Sequence, residues 1–456
     1  MKINKEIFRE YDIRGIYGTD IDENISYLIG KAFASIIIEL GKKETLIAYD
    51  NRASSPIIYE NLVKGILETG IDVTSIELAT TPMYYYASNY LNINCGIMIT
   101  ASHNPKEYNG FKISYNGLNN AYGKDVMKIY ERIIENNFYQ GTGKLKIKNI
   151  KQPYINLLTK NISYGQRKIK LVIDCGNGTT SIIAKDIFNK IKNLEYIGLY
   201  TESDPNFPNH HPDPSVEENM QDLKKKVLET KSDLGLAFDG DGDRVGVVDE
   251  KGNMIDIDKY MIIIWRDLVN KVSDKRTLYD VKCSKVLEDE LDKLNVEKTL
   301  YRTGNSYMKA KMVEGKYPFG GELSGHVFFQ DKFPGYDDGI YAGLRLIEIL
   351  SHTDKTVSQL LDNINTYYST KELKIHIEDS KKQIVIDKIK EYCIKKEYNI
   401  VTIDGVKVIF DDGFALIRAS NTGPNITLRY EGKTEKRLKE IKDEFDNLLN
   451  KIKEQI

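Results

Sequence analysis

The sequence predicts an α/β protein: three related α/β domains with mixed, mostly parallel sheets, followed by a smaller C-terminal α+β domain. Three observations predict it. Short apolar strands at 45–50, 170–174 and 277–281 each end at or near an aspartate (Asp50, Asp174, Asp280) and run through a polar loop into a helical pattern. Strands alternating with helices favour parallel pairing with the helices packed on the sheet. Near the end of the chain the pattern changes to shorter strands and a hairpin. The expected divisions are 1–148, 149–254, 255–366 and 367–456.

Taken in order, Phe8 to Gly15 reads as a short extended piece ending in a glycine turn. A helical pattern at 26–40 is closed by Gly41. After the strand at 45–50 comes a polar loop at 51–55, then a helix with Pro56 at its start and Gly70 at its end. A strand at 71–78 and a helix at 82–91 follow. The strand at 111–115 ends in Asn116-Gly117, a hairpin signal. The second unit places Gly176-Asn177-Gly178-Thr179 before a helix, and the third places Lys282-Cys283-Ser284 there. A linker is expected at 363–370, a natural hinge, and a charged amphipathic helix at 434–453 closes the chain.

Composition bounds the function. At 456 residues the chain has room for two to four domains of ~100–200 residues. Its 65 Lys+Arg nearly balance 67 Asp+Glu, which argues against a nucleic-acid scaffold but permits local basic pockets. Four widely spaced cysteines (Cys95, Cys175, Cys283, Cys393) lack metal-type spacing and fit a reducing compartment. Met1 leads straight into Lys2-Ile3-Asn4-Lys5, with no apolar leader, and the apolar run at 261–265 is cut off by Arg266. A soluble, cytoplasmic protein without membrane or nucleic-acid partners is expected.

Four loops carry chemistry. In Thr100-Ala101-Ser102-His103-Asn104-Pro105, proline stiffens the turn and holds a hydroxyl out beside an imidazole. Such a hydroxyl becomes a nucleophile when a base, a metal or a polarised environment activates it. In Asp239-Gly240-Asp241-Gly242-Asp243-Arg244, three carboxylates alternate with glycine and would repel one another if ionised and unpaired. A hard divalent cation resolves that repulsion and keeps positions open for a phosphate oxygen. Glu250 stands at the twelfth position of an EF-hand-like count, but the sixth carries Arg244 where that loop needs glycine, and a strand follows, so an EF-hand is rejected.

The third loop, Gly320-Gly321-Glu322-Leu323-Ser324-Gly325-His326, sets Glu322 and Ser324 on one side of an extended segment, suited to sugar hydroxyls. The fourth, Arg418-Ala419-Ser420-Asn421-Thr422-Gly423-Pro424-Asn425, concentrates hydroxyl, amide and guanidinium donors, with Arg429 on the next strand. Its composition is that of a phosphate cradle.

These loops, in this order, resemble the α-D-phosphohexomutases, of the phosphomannomutase/phosphoglucomutase group, from Tyr11-Asp12-Ile13-Arg14-Gly15 to Arg429-Tyr430-Glu431-Gly432. The resemblance implies four domains around a central cleft. It makes Ser102, beside His103, the phosphoserine, with Asp239, Asp241 and Asp243 binding one Mg²⁺ together with the serine phosphate. Glu322 and Ser324 would contact sugar hydroxyls. Arg418, Ser420, Asn421, Thr422 and Arg429 would hold the distal phosphate. Tyr11, Arg14, Lys112, Arg244, Lys282 and His326 match further cleft positions, some implicated in proton transfer, between which Lys112 and His326 stay open as the base. In Arg302-Thr303-Gly304-Asn305-Ser306, Gly304 and Asn305 fall at a ligand-contacting loop, and Asn305 stands where the group often has histidine.

Mannose and glucose 1- or 6-phosphate are the implied substrates, with a hexose 1,6-bisphosphate as intermediate or activator, and the chain as a monomer or homodimer. Leu323 fits this group better than the phosphoglucosamine mutases, which usually carry glutamine there. That mutase and, further off, a Mg-dependent sugar phosphatase are the alternative readings.

Overall fold

The computed structural model describes residues 3–117, 119–420 and 423–455. The chain divides into two compact units, one of Met1–Ile257, Lys309–Lys316 and Ser324–Leu360, the other of Asp258–Met308, Tyr317–Leu323 and Leu361–Ile456.

The first unit contains two sheets. In the first, parallel strands Gly96–Ile99, Glu44–Tyr49, Asp72–Leu78 and Leu145–Ile147 lie side by side in that order. Tyr108–Asn116 adds antiparallel beside Gly96–Ile99, and Ile13–Ile16 beyond it. Gly15 therefore lies inside a strand, opposite Asn109, rather than in a turn; the chain reverses afterwards, at Gly18, whose φ is +82°. Helix Glu23–Glu39 starts earlier than its apolar pattern because Asp22 caps it, accepting from the Ile25 amide, and Gly41 ends it at φ +72°.

That helix and Ser55–Leu67 approach backbone to backbone. A Cβ on Gly30 would stand 2.3 Å from the Leu62 carbonyl oxygen, and one on Gly65 2.2 Å from that of Tyr27. Ile29, Phe33, Ile37, Leu62, Ile66 and Val73 close the core beneath them. The expected turn at Asn116-Gly117 is present, with Gly117 at φ +63°.

The second sheet runs Met254–Ile255, Val245–Asp249, Leu234–Phe238, Ile169–Asp174, Leu194–Leu199. The last three are mutually parallel and Val245–Asp249 is antiparallel, so the acidic loop 239–244 is the turn of a hairpin. The helix expected after Thr179 is reduced to a single 3₁₀ turn, Thr179–Ile182, and a short helix, Ala184–Phe188. The run Thr179-Thr180-Ser181-Ile182-Ile183 is rich in β-branched residues, which favour helix poorly. The repeat survives at the strand ends: the Asp50 carboxylate accepts the amide of Arg52, and that of Asp174 accepts the amide of Gly176.

In the second unit, strands Glu297–Tyr301, Arg276–Asp280 and Phe319–Gly321 pair in parallel. Trp265, fully buried on helix Ile257–Leu268, donates to the Thr277 hydroxyl at 2.9 Å. The C-terminal sheet is antiparallel, built on Asn425–Gly432, Gly413–Ala419 and Val406–Phe410, and is covered by helices Asp379–Lys395 and Glu435–Lys453. The expected linker at 363–370 is not a free tether. Tyr368–Ser369 pairs with Glu431 and Gly432, and Asn365 and Tyr367 both donate to Asp289. Its tyrosines suit a strand edge better than a solvated connection.

All four cysteines are buried and none is in a disulfide. Among the described residues, no helix is long and apolar enough to cross a membrane.

Candidate active site

In the first unit the loop after Gly96–Ile99 folds on itself: the Ser102 amide donates to the Thr100 hydroxyl and the Asn104 amide to the Ala101 carbonyl. Ser102 takes φ +50°, a left-handed conformation that non-glycine residues adopt rarely and at a cost of about 1 kcal/mol or more. The serine is 3% exposed, and its Oγ donates to Asp239 Oδ2 at 3.0 Å and lies 3.2 Å from His103 Nδ1. Burial, with Arg244 and Arg14 nearby, holds His103 well below the usual histidine range, so its ring is neutral. Arg14 grips the same loop, donating to Asn104 Oδ1 at 2.7 Å and to Asp12 at 2.5 Å. Tyr11 is half-buried in the turn before Arg14.

Asp239, Asp241 and Asp243 are fully buried, and their oxygens lie within 4.8 Å of one another. The amides of Gly242 and Arg244 donate to Asp239 Oδ1. Thr81, which the sequence reading passed over, donates its hydroxyl to Asp241 at 2.6 Å. Burial together with the negative charges of Asp243 and Asp241 pushes the Asp239 carboxyl well above its ordinary value. Burial alone would raise Asp243 as well, but Lys112 brings it below. Lys112 Nζ stands 2.7 Å from Asp241 and 2.6 Å from Asp243. Burial disfavours its charge, yet the two carboxylates outweigh that and hold the ammonium firmly protonated. Asp241 Oδ1 and Asp243 Oδ1 are left without hydrogen-bond partners. Three converging hard oxygen ligands with two orphaned atoms fit a divalent cation.

His326 Nε2 accepts from Arg244 Nε at 2.9 Å, which places the ring proton on Nδ1. Nδ1 faces Asp337 at 2.7 Å and Asp243 at 3.4 Å. Asp337, also absent from the sequence reading, is the nearest carboxylate to this nitrogen, though the two are not aligned for a hydrogen bond. Ser324 is half-buried in the same unit.

In the second unit, Lys282, Arg418 and Arg429 converge with acidic partners, of which Glu372 and Asp404 were not singled out by the sequence pattern. Lys282 Nζ pairs with Glu372 at 2.9 Å and lies 3.8 Å from Asp280. That ammonium holds the Glu372 carboxyl down to about 2. Arg429 donates to the Lys282 carbonyl, and Arg418 Nε donates to Asp404 Oδ2 at 2.9 Å. The same Asp404 oxygen accepts the Thr303 amide, and Glu322 Oε1 accepts the Gly304 amide at 2.6 Å. Glu322 is 1% exposed and bound through this oxygen to the backbone beside buried Asn305. The Ser420 carbonyl accepts from Lys382. Asn421 and Thr422 lie outside the described residues.

Four family models match the chain, described as phosphoglucomutase/phosphomannomutase alpha/beta/alpha domains I (residues 5–140), II (152–252) and III (256–367) and C-terminal domain (372–448). The phosphomannomutase/phosphoglucomutase of Pseudomonas putida is 36% identical over 450 residues, covering 99% of this chain and 96% of that one. The phosphoglucomutase of Neisseria gonorrhoeae is 37% identical over 449 residues, covering 97% and 96%. A crystal structure of a phosphoglucomutase/phosphomannomutase family protein from Burkholderia thailandensis superposes with a TM-score of 0.92 at 36% identity, covering 99% of this chain and 98% of that one. On this agreement along the whole chain, it belongs to the phosphoglucomutase/phosphomannomutase family of α-D-phosphohexomutases.

Proposed function

We propose that the chain interconverts hexose 1- and 6-phosphates, of glucose and mannose, through a phosphorylated Ser102. The observation that carries this reading is the 3.0 Å hydrogen bond from the Ser102 hydroxyl into a buried triad of carboxylates that fits a divalent cation. A hydroxyl so placed can hold a phosphoryl group between turnovers. Its P–O bond to Ser102 breaks as a bond to the sugar's free hydroxyl forms, giving a hexose 1,6-bisphosphate. With the sugar turned end for end, the other phosphate is returned to Ser102.

Asp239, Asp241 and Asp243, with the serine oxygen, would hold Mg²⁺, which when bound offsets charge on the transferring phosphoryl group. Arg244 supplies further positive charge there. Lys112 and His326 both stay open as the group for proton transfer: Lys112 lies against Asp241 and Asp243, and the His326 ring accepts from Arg244 at Nε2. Arg418, Ser420, Asn421, Thr422, Arg429 and Lys282 would take the phosphate not being transferred, and Glu322 and Ser324 the hydroxyls. Glu322 then serves two partners, a hydroxyl and the Gly304 amide. We read the chain as four domains with the divisions expected from the sequence.

The relatives' names, which pair mannose with glucose or give glucose alone, favour those sugars over glucosamine. Coupled assays on mannose, glucose and glucosamine 1-phosphates, with free phosphate measured alongside, test this. Isomerised mannose and glucose phosphates are expected. Turnover of glucosamine phosphate alone, or release of phosphate without isomerisation, would replace the reading.

A further inference from the structure

The Ser102 loop turns so tightly that the carbonyls of Ser102, Asn104, Pro105 and Tyr108 converge on one side chain, that of Arg52. Its Nη2 donates to the carbonyls of Ser102 and Asn104, each at 2.7 Å. Its Nη1 donates to those of Pro105 at 2.6 Å and Tyr108 at 3.0 Å, and its Nε to Asp50 Oδ2 at 3.2 Å. A guanidinium has five N–H donors in a fixed fork, and all five are used here. Asp50 is fixed in turn, accepting the Arg52 amide and the Ser55 hydroxyl on its other oxygen. Arg52 is 1% exposed. With every donor committed and no surface, it has nothing to offer a substrate.

We infer that Arg52 is the positioning residue of the Ser102 loop: its fork ties four carbonyls into one rigid turn and so keeps the serine left-handed, with its hydroxyl on Asp239. The inference rests on the reading of Ser102 as the phosphoryl carrier. A sparsely populated backbone conformation persists only where its surroundings over-determine it. The Ser102 carbonyl is bound by Arg52 Nη2 and closely approached by the Gly240 backbone, where an added Cβ would stand 2.5 Å from that oxygen. No other side chain could replace the fork. A lysine brings three donors at a single point and cannot span four carbonyls. Sequence patterning passed over Arg52 because it reads as one more charge in a polar loop.

The test uses the full-length Arg52→Lys variant, with kcat and KM for glucose 1-phosphate, thermal melting, and amide hydrogen exchange across residues 100–110. Displacing a reacting group by about 1 Å can cost about 100-fold in rate, so kcat is expected to fall by about 100-fold. KM should stay within about threefold, since substrate-binding groups are untouched. Exchange in 100–110 should rise above that of the rest of the protein, and the melting temperature should fall with the loss of bonds to buried carbonyls. Wild-type kcat in Arg52→Lys, or a fall in kcat with loop exchange unchanged, overturns the inference.

Should Arg52→Lys fail to fold, Asp50→Asn decides, because it leaves the four carbonyl bonds but loosens the arginine's anchor. A partial loss of kcat at constant KM supports positioning; wild-type kcat overturns it. Wild-type protein that never carries phosphoserine would instead overturn the reading of Ser102, a result visible by intact mass and independent of loop exchange in the variant.

Discussion

The Ser102 hydroxyl and the Asp239 carboxylate, 137 residues apart in the chain, meet at 3.0 Å in a buried setting. Replacing Ser102 by alanine should therefore remove the phosphoryl carrier and leave the carboxylates standing. Mutase turnover is expected to fall at least about 1,000-fold, as when other enzymes lose a nucleophile. Binding of glucose 6-phosphate, measured by calorimetry, should persist. Turnover close to wild type in this variant would remove Ser102 from the reaction.

Lys112 is the counter-ion of Asp241 and Asp243, two of the three carboxylates that would hold a divalent cation. Chelation should abolish turnover, and Mg²⁺ at about 100 times its dissociation constant should stabilise the protein by about 3 kcal/mol. In Lys112→Met the three carboxylates lose their only ammonium among the described residues, so the chelated protein should melt lower and gain more from Mg²⁺ than wild type does. Melting curves indifferent to Mg²⁺ in both proteins would show that the triad holds no cation.

Gly240 leaves room for the backbone of the serine loop. In Gly240→Ala the new methyl group would stand 2.5 Å from the Ser102 carbonyl oxygen, so one of the two loops must move. Turnover should drop by about 100-fold, the scale of an ångström-level displacement of the reacting group. A crystal structure of the variant with Ser102 still 3.0 Å from Asp239 and unaltered kcat would contradict this.

Glu372 has a folded pKa of about 2, depressed by Lys282, against an ordinary value of 4.5. A depressed carboxyl contributes stability that is fully present above pH 4.5 and is lost as pH falls towards 2. The pair is partly exposed on the Glu372 side, so after screening its contribution is on the order of 1–2 kcal/mol. Glu372→Gln should lower the melting temperature at pH 7, and the gap from wild type should close progressively as pH drops from 4.5 towards 2. A gap that widens on acidification would assign the low pKa to another cause.

Much of this was legible in the chain because period and punctuation are local. Apolar runs ending in Asp50, Asp174 and Asp280 marked strands, and Gly41 marked a helix end. The alternation of carboxylate and glycine at 239–243 marked a candidate cation site without any neighbour's help. Patterning failed where pairing decides: Gly15 became a strand residue because Asn109 lies opposite, and 368–369 joined a sheet because Glu431 and Gly432 offered an edge.

The amino-acid order by itself determined most of the strands and helices and which loops carry hydroxyl, carboxylate and guanidinium, since those depend on residues a few positions apart. Only tertiary structure decided what those groups do to one another. Arg52 on the Ser102 loop, Lys112 among the aspartates and Glu372 on Lys282 are all contacts between distant parts of the chain. Burial gives each its force, because a charge withdrawn from water must find its partner in the fold.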